Sequence, residues 1–489
     1  VRLLVPPCAL ALAVLLAAPA RSQPGPQVKD GKFLLPITAT PAAPPVPALR
    51  YTLLPSVRDA RPGNQVAAFY KCFMEQGKLF FDKDEADKRN RWLTAPLADL
   101  AQEKELENYG GHAYVQAHRA AQLEAVDWQL LGDMRLDGIN LILSDIQQLR
   151  DLARVLRVRA RGEIARGDFA GAVETIQTHL ALARTFNDHP TMIGALVGFA
   201  TAAQALASVE EFIAQPGAPN LFWALADLPA PLFDLRKAAH GERTFLTAEI
   251  YPYLDRKNPM TEAQIAWAVT KVTDLIDLTT LKEGLAPSQT FKGDAPPKPA
   301  PAPKPAPAWK TPATYLGERA ADPKQVAEAR AKLLPAPPTR DLRVEKFPPM
   351  QVILIDEVNR FEAVRDDLLK WLSVPAWQLP TKFEVARPSG LLTSFTPAVL
   401  KVSVARNRLQ QQIGMLQAVE ALRAHAAANG GALPAALDQT RLPVPLDPFT
   451  GKAFAYELRG GTAVVRGTPP ADLKNDAVLN RVYELTLRK

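Results

Sequence analysis

The spacing of apolar residues changes character along the chain. Residues 9–20 are an unbroken Ala/Leu/Val run that ends Ala18-Pro19-Ala20. From about Asn64 to Thr280, apolar residues recur three and four apart, the spacing that puts them on one face of a helix. Leu149, Leu152, Ala153 and Leu156 are the clearest case, and Arg150, Arg154, Arg157, Arg159 and Arg161 are expected to decorate the remaining surface. Gly167-Asp168 breaks the pattern and Phe169–Phe186 resumes it, which predicts an antiparallel pair of helices. Thr191–Val209 carries no charge and holds Gly194-x-x-x-Gly198 with Ala202 next in register. It reads as a central core helix whose small residues admit close neighbours. A membrane span is the alternative, weakened by Thr201, Gln204 and Ser208 and by acidic flanks with no basic anchor.

Further helices are predicted at about Asp322–Leu334, Pro349–Leu372 and Pro397–Ala428. The last of these is stopped by Asn429-Gly430-Gly431. The final sixty residues switch to period two. Ala453–Leu458 and Thr462–Arg466 flank Arg459-Gly460-Gly461, a hairpin signal, and Val482–Leu487 is a third strand. The expected fold is mainly α: an irregular helical-hairpin bundle with a small C-terminal α+β hairpin module. The segment around Gly167 resembles the inner turn of a tetratricopeptide-type (TPR-like) hairpin. A repeat array needs about three or more units at a fixed period, and only one is seen.

The 45 prolines, roughly twice the usual share, divide this pattern. Residues 1–20 read as a signal peptide, since a short apolar core with a small-x-small ending is a cleavage pattern around Ala18, Ala20 and Arg21. Residues 21–50 read as a Pro-rich arm and 51–290 as the helical domain. Residues 293–312, where Pro alternates with Ala and Lys, read as a linker near polyproline II. It separates that domain from a helical segment at 313–396 and the long helix with its small β module at 397–489. Val1 is read as a literally translated GTG start, which implies a bacterial gene. Cleavage would release a periplasmic or secreted protein, with membrane attachment arising only from an uncleaved N-terminus.

Composition then removes function classes. The formal net charge is +7, but no Lys/Arg run is long enough to track phosphates, so no nucleic-acid partner is expected. Of the two cysteines, Cys72 alone survives cleavage, so no intrachain disulfide can form. Its apolar surroundings predict a buried, inert thiol. Val352-Ile-Leu-Ile-Asp356-Glu357 has the look of a Walker B strand, yet no GxxxxGK[ST] accompanies it and a helical pattern continues through Phe361. Asp82-Lys-Asp84 begins like a calcium loop and fails at Ala86. No HExxH, CxxC pair, GxSxG or SxxK is present, so no catalytic, cofactor-binding or metal-ligating residue is assigned and no cofactor is expected.

The remaining candidates are interaction residues. Asn220, after the rigid Gln215-Pro-Gly-Ala-Pro loop, is placed to cap a short helix Leu221–Asp227. Trp223 on that helix is expected to seal it against the bundle. Trp371 and Trp377 bracket Pro375 at a helix end and serve as packing anchors or a binding platform. Asp447 opens the turn Asp447-Pro-Phe-Thr-Gly-Lys452.

That turn, following a long helix and an Asn-Gly stop, resembles the globular end of a type II secretion major pseudopilin. The likeness covers about sixty residues and lacks the pilin leader and assembly helix, which implies a small module rather than pilus assembly. More broadly the chain resembles a family of uncharacterised secreted, mostly helical proteins of planctomycete-type bacteria. The residues that carry this are Tyr51-x-Leu-Leu-Pro55, Pro62-Gly63-Asn64, Asp127-Trp128, Gln148-Leu-Arg150-x-Leu152-Ala153, Gly217-Ala-Pro-Asn220-Leu-x-Trp223-Ala-Leu225 and Asp447-Pro448-x-Thr450-Gly451-Lys452. The resemblance implies compartment and architecture and carries no activity. The expectation is a non-enzymatic binding or scaffold protein that contacts an envelope protein or cell-surface polymer. The alternative is an extracytoplasmic hydrolase of glycan or peptide working through paired carboxylates.

Overall fold

The computed structural model describes residues 27–137, 144–244, 249–285, 311–333, 343–378, 390–392, 399–470, 473, 476–477 and 479–488. Helices make up 61% of the described residues, with a mixed sheet toward the C-terminus, so the fold is mainly α as expected. Ala18, Ala20 and Arg21, with the rest of the expected signal peptide, lie outside the described residues, as do residues 293–310 of the expected linker.

The predicted helix pair is α1 (Ser144–Ala165) and α2 (Phe169–Thr185). They are joined where Gly167 takes φ 75 and Asp168 accepts a hydrogen bond from the Gly171 amide at 3.0 Å. Leu149, Leu152, Ala153 and Leu156 are buried. Helix α3 (Met192–Ile213) packs against both and is long and apolar enough to cross a membrane, but 61% of its apolar window is buried inside the protein. Gly194 lies against the His189 ring, and Gly198 against Phe186 and Phe233, positions where a Cβ would collide. The small residues therefore serve close packing within the bundle.

Two arginines expected at the surface are buried. Arg157 donates to Ser208 Oγ at 2.6 Å and pairs with Glu211 at 2.9 Å. Arg161 pairs with the same carboxylate at 3.0 Å and donates to the carbonyls of Trp92 and Ala95. Periodicity placed them outside, but α3 covers that face of α1 and brings Ser208 and Glu211 as partners.

Residues expected as a Pro-rich arm are instead part of a sheet. Strands β1 (Gln27–Lys29) and β2 (Lys32–Ala39) join β3 (Ala455–Arg459), β4 (Thr462–Arg466) and β5 (Arg481–Leu487) in the order β1-β2-β5-β4-β3. The central pair is parallel, with Phe33 opposite Arg481 and Ala39 opposite Leu487. Leu35, Ile37 and Ala39 point into the core at period two. Pro36 is tolerated because β1 pairs only with residues 32–34 and leaves one side of β2 open there. The predicted β3–β4 hairpin turns at Gly460 and Gly461, both at positive φ.

Helix α4 (Phe222–Ala226) follows the bundle. Helices α5 (Glu262–Leu285), α6 (Pro312–Ala321), α7 (Pro323–Leu333) and α8 (Pro349–Leu369) come next, and α9 (Val399–Ala428) runs back against α3 and the sheet. Asn429-Gly430-Gly431 ends α9 as predicted, with the Gly431 amide bonded to the Ala426 carbonyl at 2.8 Å.

The expected division at residues 293–312 does not hold. One hydrophobic core gathers residues 35–239 with 368–485, and a second gathers 250–361 with Leu392. In sequence the Pro-rich segment falls between α5 and α6, which both belong to the second core, and its last two residues cap and begin α6, with Thr311 accepting from the Thr314 amide. The molecule is thus a main body built from both ends of the chain, with an inserted helical unit. Helix α8 belongs to both, with Ile355 in the inserted core and Leu369 in the main one.

Candidate functional site

Asn220 is buried and cross-links three segments. Its Oδ1 accepts from the Phe222 amide at 2.9 Å, and its Nδ2 donates to the carbonyls of Ala42 at 3.1 Å and Glu420 at 2.8 Å. Behind it, Glu420 and Arg423 of α9 form an ion pair at 2.8 Å with no exposed surface. Arg423 also donates to the carbonyls of Thr40 and Ala218, and Glu420 accepts from the Leu221 amide at 3.0 Å. Burial raises the Glu420 carboxyl, opposed by Arg423. The short helix spans Phe222–Ala226 with Leu221 at its N-cap, so Asn220 stands one residue before the cap and holds the first helical amide from there. Leu221, Ala224 and Leu225 pack this helix into the main core, and Phe222 is fully buried beside them. Trp223 is half-buried and meets Phe222 edge-on at 5.1 Å.

Asp447 is also fully buried and organises its own turn. Its carboxylate accepts from Gln411 Nε2 at 3.1 Å and from the amides of Phe449 at 2.9 Å and Thr468 at 2.8 Å. Gln411 and Glu420 lie nine residues apart on α9, about 13 Å along its axis. Asn220 and Asp447 thus mark two separate joints. Trp377 is 51% exposed and lies against Gly451 in the Asp447 turn, where a Cβ would stand 3.0 Å from its ring. Trp371 is half-buried, with Lys370 Nζ 5.1 Å over its ring. Of the predicted interaction residues, Asn220 and Asp447 thus hold joints of the main body, Trp223 and Trp371 are half-buried, and Trp377 is exposed.

Cys72 is buried and free, and burial pushes its thiol up to about 12, as an inert structural cysteine requires. Asp82 caps a helix through the amides of Asp84 and Glu85, so the calcium-like acidic run is a helix start. Among the described residues no group of three or more His, Cys, Asp or Glu is placed to hold a metal.

The inserted unit contains a recess of about 480 Å³ between α6, α7 and α8. The Walker B-like segment is helical here; its Asp356 lines the recess, and Glu357 is buried beside it. Arg319 Nη2 lies 2.8 Å from Asp356, and its Nη1 binds Glu357. Arg360 adds a contact to Asp356 at 2.7 Å, and Lys332 Nζ stands 3.8 Å away. Burial would lift the Asp356 carboxyl, but the Arg319 hydrogen bond, with Arg360 and Lys332, holds it below the usual carboxylate range. Glu357 Oε2 accepts from the Leu391 amide at 2.8 Å. Both carboxylates are locked in place. Together these ion pairs give the recess a charged wall of fixed shape.

Carboxyls raised by burial occur elsewhere, each with its own fixed partner. Glu163 faces Arg159 at 2.8 Å, and Glu242, pushed to about 7, accepts from the Met192 amide at 2.7 Å. Glu362 accepts from the Tyr251 hydroxyl, and Glu420 is paired as above. They belong to different joints rather than to one cleft.

Sequence reasoning missed a pair on the inserted unit. Trp267 on α5 is 57% exposed and stacks on Tyr253, with ring centroids 5.9 Å apart and planes at 17°. Lys271, one turn later, holds Nζ 5.6 Å from the Tyr253 centroid and 6.0 Å from that of Trp267. Ala-Trp-Ala-Val in a helical run reads as core, and nothing local marks Trp267 as outward-facing.

The fold and these sites define a mainly helical protein with a discontinuous main body and an inserted unit. No family model matches the chain, and no match is found among curated proteins or solved structures.

Proposed function

We propose that this is an exported, non-enzymatic binding or scaffold protein of the cell envelope, which contacts an envelope protein or cell-surface polymer through its helical surface. The observation that carries the reading is how the polar groups are used. Asn220, Glu420, Arg423 and Asp447 are satisfied by backbone groups and by one another at joints between distant segments. The carboxylates under the recess of the inserted unit are fixed by guanidinium groups. This is the arrangement of a shape-holding framework. General acid–base hydrolysis needs a carboxyl free to gain and lose a proton beside a second one. The apolar run with its Ala-Pro-Ala ending supports export, and the family resemblance supports the same compartment.

The test is affinity capture from an envelope extract with the native protein, beside fractionation and N-terminal sequencing. A retained envelope component and a mature N-terminus after Ala20 are expected. Turnover of a glycan or peptide substrate with no retained partner would overturn the reading.

A further inference from the structure

We infer that the Tyr253–Trp267–Lys271 face of the inserted unit is a binding platform for acidic polysaccharide, a chain of pyranose rings bearing carboxylates. This rests on the envelope-binding reading and names its ligand class and site. A pyranose ring presents a face of C–H groups, and a flat exposed aromatic surface is the natural complement to it. The electron-rich ring face attracts polarised C–H bonds, and the contact releases water from both sides. Trp267 offers such a surface, being 57% exposed, and Tyr253 braces it in a near-parallel stack. The bracing fixes the indole, which lowers the ordering cost of binding. On the same helix Ala263, four residues before, is small and exposed and leaves the approach open.

Lys271 supplies the charge argument. Its ammonium sits within 6.0 Å of both ring centroids and forms no ion pair with a described carboxylate. A cation beside a sugar-binding face is placed for the carboxylate of a uronate-type residue stacked on it. The net charge of +7 favours the same ligand class at longer range. A lysine-bearing proline-rich peptide would also stack on an aromatic pair, but it would bring its positive charges against Lys271.

The experiment is affinity gel electrophoresis of the mature protein in gels containing polygalacturonate or, separately, neutral dextran. Retardation by polygalacturonate and none by dextran is expected. Trp267→Ala should weaken retardation about tenfold, the loss of one stacking contact, with the thermal unfolding curve unchanged. Lys271→Gln should weaken it several-fold and flatten its dependence on salt. Retardation by polygalacturonate that survives Trp267→Ala would overturn the proposal, since the surface charge alone would then be responsible. Equal retardation by dextran would overturn the role of Lys271. Preferential binding of a proline-rich peptide over polygalacturonate, lost in Trp267→Ala, would overturn the ligand class. An envelope component captured equally by wild type and Trp267→Ala would leave the binding function standing and remove this site from it.

Discussion

Buried charge is used differently in the main body and in the inserted unit. In the main body Arg423 and Glu420 have no exposed surface, and Arg423 reaches the carbonyls of Thr40 and Ala218, hundreds of residues away in sequence. In the inserted unit Arg319 meets Asp356 and Glu357 from a neighbouring helix, at side chains 3–10% exposed, under an open recess. The first arrangement fastens the two ends of the chain into one core. The second shapes a local surface. The exposed aromatic pair Tyr253–Trp267 lies on the same unit as the recess. Buried charge thus joins distant segments in the main body and neighbouring helices in the inserted unit.

The largest effect should come from breaking the pair in the main body. Arg423→Ala leaves Glu420 buried without its cation and frees two backbone carbonyls. It is expected to cost about 3–5 kcal/mol and to lower the melting temperature of the whole molecule. Arg319→Ala should cost less, about 2–3 kcal/mol, because Asp356 keeps Arg360 and Lys332 and Glu357 keeps Tyr315 and the Leu391 amide, and should loosen the inserted unit while leaving protection in α1–α3 intact. Equal losses, or a global transition in both variants, would erase the distinction between the two regions. Calorimetry with hydrogen exchange by fragment reads both.

The short helix after Asn220 gives a finer test. Phe222→Ala should cost about 3–5 kcal/mol, because the ring has no exposed surface. Trp223→Ala should cost about 1 kcal/mol, since its ring is half-buried. Chemical denaturation of the two variants decides, and a reversed order would restore Trp223 as the sealing residue.

A pH-dependent effect tests how dry the main core is. His179 has no exposed surface and no partner for either ring nitrogen, and burial drives its imidazole down to about 3. Below its ordinary value of 6.5 the unfolded chain takes up a proton that the folded one does not. Stability is therefore lost as pH falls through 6.5, and the loss levels off only below about 3. His179→Leu should be near neutral at pH 8 and more stable than wild type by about 2 kcal/mol at pH 5. Identical denaturation midpoints at pH 5 would mean that the imidazole has access to water.

Much of this fold was legible in the chain. Gly167-Asp168, Asn429-Gly430-Gly431 and Arg459-Gly460-Gly461 mark turns whose backbone needs few other residues can meet, so the elements between them follow. Period alone placed α1, α2 and α9. What could not be read is long-range. The alternation of Leu35, Ile37 and Ala39 was present, but Pro36 and the surrounding prolines argued for an arm, and only pairing with β5 reveals a strand. Arg157 and Arg161 sit where helical spacing says surface, and only α3 makes that position an interior one. Asn220 was identified as a cap from its neighbours, whereas its bonds to Ala42 and Glu420 depend on segments that no local pattern links. Trp267 was invisible for the opposite reason, since its surroundings look like core and the tertiary fold turns it outward.

The most direct test of the two-unit account is native-state hydrogen exchange of the unmodified protein, resolved by peptide. Residues 33–39, 149–182, 402–426 and 481–487 should share one high opening free energy. Residues 262–276, 315–333 and 343–361 should share a distinct, lower one. Fast exchange of 33–39, as expected of a solvated arm, or a single opening free energy across both sets, would contradict it.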